Sequence, residues 1–286
     1  MKVCVMSNGS PDYLIDIVAD GMIRLLGRES VSLNYNVRCS NEPKFAQLFA
    51  GFECPDTFLP EEADILVAST RSLDSVSAWV ARTGKKKVAV LDGEDDDMIR
   101  EPWPGAVRVY FKREFIRGRV YAPNVRPLPF AAIPEPVCEN GSARRGVFFS
   151  AGNTAPIRHE IACDLASLGF PPTPPVMAKG EYNRSLASAL VGVSVRGGGW
   201  DTYRYWETAY FGAALLSQRL MIEIPGDFVD GIEAAFFDGP AGFGAALHRL
   251  LENPARAAEL GRAGRAACLE RHLSTHRAKT VLDAVL

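Results

Sequence analysis

The chain has 286 residues, 47% of them hydrophobic and 23% charged, with a formal net charge of −2 and a pI of about 6.1. These proportions are those of a globular protein and exclude a disordered or fibrous chain. The slightly acidic balance gives no overall field for nucleic acid or an anionic membrane, so neither is an expected partner.

The first half of the chain alternates between strand-like and helix-like segments. Residues 2–7 form a β-rich run that ends in the turn signal NGSP, and residues 12–27 show apolar residues at helical spacing with Gly27 as a stop. Further segments follow in order, with strands predicted at 63–70, 85–97 and 106–111 and a helix at 72–82. This alternation predicts a parallel sheet covered by helices.

Residues 123–145 interrupt this pattern with five prolines and no periodicity, which is typical of a linker. We therefore predict two domains, 1–135 and 136–286. The second half repeats the alternation, with strands predicted at 146–152, 190–195, 213–217 and 234–239, helices at 157–169, 181–189 and 202–211, and two C-terminal helices. Two β/α series of similar size predict an α/β protein of two Rossmann-like domains facing each other across a cleft.

The segment SVRGGGWDTYRYWETAYF (194–211) joins a predicted strand to a predicted helix through three glycines. Free N–H groups and the helix dipole at such a turn bind phosphate, and glycine lets a ligand approach the main chain. Asp201 or Thr202 can cap the helix, and Glu207 shares a face with aromatic residues. A carboxylate held there needs a cation or ligand hydroxyls, unless it is a surface glutamate on a helix that is rotated differently.

The run GGGWDTYRYWETAYFGAALLSQRL (197–220) and the residues after it resemble the C-terminal half of GT-B glycosyltransferases, in the group 1, spore-coat-type branch. Those proteins share a pattern close to G-x-D-T-x-R-x-[FW]-E, followed by an apolar strand ending in Asp and a helix ending L-x-N-P. The stretches LDGEDD, YFKRE and RPLPFA also resemble their N-terminal halves. The resemblance implies a GT-B fold and metal-independent transfer of a sugar from a nucleotide-diphosphate sugar to an acceptor hydroxyl, with no further cofactor.

The same resemblance implies roles for individual residues. Glu207 would hold the ribose hydroxyls of the donor, and main-chain N–H groups near Thr202 would hold the diphosphate. One departure is Gly199, which stands eight residues before Glu207 where many group 1 enzymes carry a first glutamate, and it puts the donor sugar and the stereochemical outcome in doubt. Together with polar residues at the start of the 157–169 helix, the predicted donor-binding set is Asn153, Arg158, Arg196, Gly198, Gly199, Asp201, Thr202, Tyr203, Arg204 and Glu207.

The densest acidic stretch, LDGEDDD (91–97), follows a predicted strand of the first domain. An inverting transferase needs a general base, and Asp92, Glu94 and Asp95 are the candidates there. A solvated loop that caps the next helix is an alternative interpretation. Another is an Asp-x-Asp metal site, as a metal-dependent GT-A transferase would use.

Asn8, Ser10 and Asp12 follow the first strand and are predicted to line the acceptor side, although an ordinary Gly-Ser-Pro turn also explains them. We expect no metal site, because His272 and His276 have no third ligand at suitable spacing. The missing first glutamate also permits a non-catalytic protein that binds a nucleotide sugar. Scattered cysteines, an N-terminus without a secretory pattern and no run near 18 apolar residues predict a cytoplasmic protein without a membrane span.

Overall fold

The computed structural model describes residues 1–8, 12–34, 59–83, 87–101, 103–137, 143–152, 154–171 and 177–286. The chain forms two compact units. The first unit contains Met1–Ile133 together with Ser274–Leu286, and the second contains Pro134–Leu273.

The first unit is built on a parallel sheet of six strands in the order β2-β1-β3-β4-β5-β6. Every residue of β1, β3, β4 and β5 is buried, as expected for strands covered on both faces. The order reverses between β1 and β3, which marks the edge where open α/β sheets bind ligands. The strands are β1 (Val3–Met6), β2 (Val31–Asn34), β3 (Ile65–Ser69), β4 (Val88–Asp92), β5 (Val109–Lys112) and β6 (Val125–Pro127).

Helix α1 (Tyr13–Leu26) shows how the sequence sets the helix ends of this unit. The Asp12 carboxylate caps it by accepting a hydrogen bond from the N–H of Ile15 at 3.3 Å, and Gly27 ends it with φ of 82°. The described part of this unit also contains α2 (Leu73–Thr83), α3 (Trp103–Ala106), α9 (Ser274–Val285) and three 3-10 turns at Arg28–Ser30, Pro60–Glu62 and Thr70–Ser72.

Helix α9 packs closely on α1 at Gly21. A Cβ added to Gly21 would lie 2.2 Å from the carbonyl oxygen of Ser274 and 2.8 Å from the Cβ of Ala278. In addition, the hydroxyl of Ser274 donates to the carboxylate of Asp20 at 2.6 Å. The last helix of the chain therefore belongs to the core of the first unit.

We expect Gly21→Ala to lower the free energy of unfolding by about 1 to 3 kcal/mol, because the nearest contacted atoms, those of the Ser274 carbonyl, are main chain and cannot rotate away. A matched control is Gly244→Ala in a helix of the second unit, where an added Cβ meets nothing within 4 Å. That change should be neutral or stabilise by up to about 1 kcal/mol. Thermal unfolding of both variants checks the prediction, which fails if Gly21→Ala melts with the wild type.

The second unit is built on a parallel sheet of four strands in the order β10-β9-β8-β7. Its core contains side chains of the strands and of the helices that cover them, and the rings of Phe237 and Phe243 meet edge to face with centroids 5.4 Å apart. The strands are β7 (Val147–Phe148), β8 (Val191–Ser194), β9 (Ala214–Gln218) and β10 (Ala235–Phe237). The helices are α4 (Pro156–Ser167), α5 (Lys179–Ser188), α6 (Tyr203–Phe211), α7 (Pro240–Glu252) and α8 (Pro254–Arg271).

The prediction of two α/β units on parallel sheets is confirmed, with three corrections. Strand β6 lies inside the stretch 123–145 predicted as a linker, where an edge strand tolerates proline. Strand β2 was not predicted from the sequence. The second domain does not extend to 286, because three helices rather than two follow β10 and the third packs in the first unit.

Candidate functional site

The three glycines lie where expected, between the carboxyl end of β8 and the start of α6. The N–H of Gly197 donates to the carbonyl of Gly199 at 2.9 Å, which closes a tight turn. Arg196 folds back over this turn, with its guanidinium 4.4 Å from the Trp200 ring centroid. Thr202 occupies the cap position of α6 without a capping side-chain hydrogen bond, and its hydroxyl lies 2.9 Å from that of Ser194.

Arg158 braces the glycine turn from α4. Its Nε donates to the carbonyl of Arg196 at 2.9 Å, and its Nη1 donates to Gly152 and Thr154 at 3.1 and 2.8 Å. A Cβ on Gly197 would lie 2.6 Å from Nη2 of this guanidinium, so a side chain there would displace Arg158 from its present position. The contacts of Arg158 with the main chain show that it shapes the loop. Asn153, the other residue predicted from this stretch, lies outside the described residues.

Asp201 is turned towards the core of the second unit. It is 2% exposed, and its carboxylate accepts a hydrogen bond from Nε1 of Trp206 at 2.8 Å. Trp206 in turn packs against His272, with ring centroids 5.0 Å apart. This geometry argues against a direct donor contact for Asp201 and explains His272 as a buried packing residue.

Glu207 is not a surface glutamate, since its side chain is only 15% exposed. Its Oε1 lies 3.3 Å from Nζ of Lys179, and its Oε2 accepts a hydrogen bond from the Tyr182 hydroxyl at 2.6 Å. Lys179 also pairs with Oε1 of Glu135 at 3.0 Å. The buried carboxylate therefore has the cationic partner that its burial requires.

These contacts determine the protonation states of Lys179 and Tyr182, the two groups that donate to Glu207. Burial alone would lower the pKa of Lys179, but the carboxylates of Glu207 and Glu135 outweigh it and raise that pKa above 10.5. Burial, with the Glu207 charge, raises the pKa of Tyr182 well above its usual value of 10.0. Lys179 is therefore cationic and Tyr182 remains a protonated donor at neutral pH.

Arg204 stands in the first turn of α6, close to the Tyr182 hydroxyl, whose pKa its charge acts to lower. Its Nε and Nη1 atoms are buried, and within the described part of the chain neither has a hydrogen-bond partner. Buried N–H groups are nearly always satisfied in folded proteins. These two donors make Arg204 a candidate for binding an anion.

In the first unit, each acidic residue of the stretch 92–97 is paired with a cation. Glu94 pairs with Arg71 at 2.7 Å and Asp95 pairs with Arg113. The hydrogen bond from Arg71 lowers the pKa of Glu94, and the one from Arg100 lowers that of Asp96 to about 2. The remaining pairs are Asp92 with Lys112, Asp96 with Arg100 and Asp97 with Arg119.

Asp92 and Lys112 are both fully buried, with 3.0 Å between carboxylate and ammonium. The Tyr110 hydroxyl donates to the same carboxylate at 2.5 Å, and burial together with that charge raises the pKa of Tyr110. This is the geometry of a structural ion pair and argues against Asp92 as the general base. Asp95 differs, because its side chain is 68% exposed.

Asp12 lies at the carboxyl edge of the first sheet, beside the reversal of strand order. It is 4% exposed, and the Ser69 hydroxyl donates to its carboxylate. Burial raises the pKa of Asp12, which the Ser69 hydrogen bond partly opposes. Asn8 is exposed on the same loop, while Ser10 lies outside the described residues.

Lys179, Tyr182 and Glu135 were not predicted from the sequence as site residues. Lys179 and Tyr182 are three residues apart and so share a face of α5. The helix was predicted to begin only at residue 181, after the proline-rich loop, so Lys179 was not assigned to it. Glu135 was placed in the linker, where an acidic residue carries no signal of its own. Only the fold brings it to Lys179.

Other features lie away from these residues. A cavity of about 630 Å³ opens at the amino ends of β7 and β8, the sheet edge opposite the glycine turn, and its lining includes Arg145, Phe148, Phe170 and Ser185. Across the described ranges, no group of three or more His, Cys, Asp or Glu side chains is arranged to hold a metal ion. None of the described helices has the length and apolarity to cross a membrane.

Comparison with known proteins agrees with this architecture. A model of the family described as "Glycosyl transferase-like" matches residues 157–283. No curated protein matches the chain significantly in sequence.

Three of the solved structures that resemble the chain do so over nearly its whole length. HepE of Anabaena, crystallised with UDP, has a TM-score of 0.66 at 10% identity, covering 99% of each chain. A glycosyltransferase from Rickettsia africae has a TM-score of 0.65 at 7% identity, covering 99% of this chain and 97% of its own. Sucrose-phosphate synthase from Thermosynechococcus elongatus has a TM-score of 0.58 at 10% identity, covering 98% and 97%. Residues 157–283 therefore resemble the glycosyl transferase-like family, and the whole chain has the GT-B fold of the glycosyltransferases that resemble it.

Proposed function

We propose that this glycosyltransferase moves a sugar from a nucleoside-diphosphate donor to an acceptor hydroxyl, with the donor diphosphate at the start of α6. The observation that carries the proposal is the pair of buried, unsatisfied N–H groups on Arg204. Phosphate oxygens satisfy a guanidinium fork well. The glycine turn and the positive end of the helix dipole favour the same anion.

Glu207 is the proposed partner of the ribose hydroxyls. It stands three residues after Arg204, so the two side chains project from the same side of α6. Two carboxylate oxygens suit a vicinal diol. Lys179 and Tyr182 hold the group in place from α5.

Catalysis would depend on positioning and on stabilising the leaving diphosphate, with Arg204 and main-chain N–H groups as donors. The proposed acceptor-binding residues are Asn8 and Asp12 of the first unit. If the reaction inverts, the exposed carboxylate of Asp95 is the proposed general base. The GT-A alternative loses its support, because the fold is GT-B and the aspartates it required are paired with arginine and lysine side chains.

We also propose a cytoplasmic location. Cys163 is exposed on α4 as a free thiol, which a reducing compartment preserves.

The test is calorimetric titration of UDP, GDP, ADP, CDP and dTDP into the wild type and Glu207→Ala. UDP is the first choice, since HepE was crystallised with UDP and with UDP-glucose. We expect the matching nucleotide to bind about 1 to 3 kcal/mol more weakly to Glu207→Ala, as when hydrogen bonds to a charged group are removed. The control is Glu252→Ala, an exposed helix glutamate of the same unit.

Equal affinity in both proteins would contradict the role of Glu207, and no binding of any of the five nucleotides would contradict the donor site. Turnover of the bound donor should survive EDTA. Binding without turnover on any acceptor would favour a non-catalytic protein instead.

A further inference from the structure

Lys179 is shared between two carboxylates that come from distant parts of the second unit. Its ammonium lies 3.3 Å from Glu207 on α6 and 3.0 Å from Glu135, near the start of the unit. It is 7% exposed, so water screens these contacts little. If Lys179 were removed, the partly buried carboxylates of Glu207 and Glu135 would lose the ammonium that lies between them.

Glu135, one of the two carboxylates that pair with Lys179, is itself held in place by hydrogen bonds. The N–H of Glu135 donates to the Tyr210 hydroxyl at 2.8 Å, and that hydroxyl donates to the carbonyl of Glu135 at 2.6 Å. The amide of Asn183 donates to the Glu135 carboxylate at 2.6 Å. Glu135 is therefore held to both α5 and α6, which limits the positions that the ammonium can take.

Tyr182 completes the arrangement on the other oxygen of Glu207. Its ring meets Phe148 edge to face at 5.2 Å, which restricts its rotation. Lys179 and Tyr182 thus reach one oxygen each of the same carboxylate, from successive turns of α5. A carboxylate held at both oxygens has a fixed plane, and hydrogen bonding to a diol depends on that plane.

We propose that Lys179 is a positioning residue of the donor site, which orients the Glu207 carboxylate for the ribose hydroxyls while Glu135 restrains the ammonium. The inference rests on the proposed function, because it concerns how Glu207 recognises ribose. Lys179 does not touch the donor in this account. Its removal should therefore affect recognition of the ribose hydroxyls more than recognition of the rest of the nucleotide.

The experiment compares UDP with 2′-deoxy-UDP by calorimetry, or another nucleotide and its 2′-deoxy form if the screen selects another base. One hydrogen bond to a charged group corresponds to a preference of about 10-fold or more, so the wild type should prefer UDP by at least that factor. Lys179→Met should reduce the preference to below about 3-fold, while Lys179→Arg should retain most of it. Adding Lys179→Met to Glu207→Ala should change the preference no further, since the two act as one unit.

The matched control is Lys279→Met, which removes an exposed lysine paired with Asp283 and should leave the preference unchanged. If Lys179→Met does not fold, Lys179→Gln replaces it, with folding judged from the melting transition. Weaker binding of both nucleotides with the wild-type preference intact would overturn the inference and leave the proposed function standing. A wild type that binds UDP without preferring the ribose form would overturn the ribose role of Glu207 and the inference with it.

Discussion

Replacing Arg204 with methionine is expected to lower kcat/KM by about 10² to 10³-fold, the range seen when one donor to a developing oxyanion is removed. The leaving diphosphate gains charge as the glycosidic bond breaks, so a guanidinium beside it matters most in the transition state. Two N–H groups of Arg204 are buried and have no hydrogen-bond partner among the described residues. Methionine relieves that cost but loses the contact of Arg204 with the Tyr182 hydroxyl, so the variant should be about as stable as the wild type.

Steady-state kinetics with the nucleotide sugar selected by binding, together with thermal unfolding, check this prediction. Arg204→Lys should be intermediate, because lysine keeps the charge but lacks the planar fork. Arg249→Met, which changes an exposed arginine on α7, is the control and should keep wild-type kinetics. A marked loss of stability in Arg204→Met with unchanged kcat/KM would mean that the guanidinium serves the fold rather than the reaction.

Lys112→Met is expected to destabilise the first unit by about 3 to 5 kcal/mol. The change leaves the carboxylate of Asp92 in a site with no exposed surface, and breaking a buried pair from one side is far more costly than losing both partners. The Tyr110 hydroxyl still donates to Asp92, but a neutral donor does not balance the charge. Combining Lys112→Met with Asp92→Asn should recover part of the loss.

Denaturant unfolding of the single and double variants measures these differences. Lys279→Met breaks an exposed pair with Asp283 and should change the free energy of unfolding by no more than about 0.5 kcal/mol. If Lys112→Met cost as little as Lys279→Met, the Asp92 carboxylate would have to be solvated, and its place as a candidate base would return.

Local patterns were sufficient for the glycine turn and the face of α6. Three consecutive glycines between a predicted strand and a predicted helix indicate a tight turn. The helical period of 3.6 residues then places Glu207 on the same face as aromatic residues. The partners of Glu207 could not be predicted in this way. Glu135 and Lys179 are far apart in sequence and meet only through the packing of the second unit.

The acidic stretch shows the opposite case, in which a strong local signal was misleading. Five acids in seven residues look like a reactive or metal-binding cluster, yet their partners, such as Arg71 and Arg113, come from other strands and loops. Composition shows the charges but not which of them the tertiary structure neutralises. The position of α9 could not be predicted for the same reason, namely that it depends on tertiary packing. Its amphipathic pattern predicts a helix but not the unit against which the helix packs.

The return of α9 to the first unit bears on how the chain folds during synthesis. Ribosomes add about 5 to 20 residues per second, so the intervening second unit delays this helix by on the order of 10 s. Throughout that interval the surface of α1 around Gly21 lacks its partner, and the first unit cannot be completed until α9 is translated. A nascent chain stalled before Ser274 should therefore expose α1 to chaperones and proteases, although α1 is made before the whole second unit.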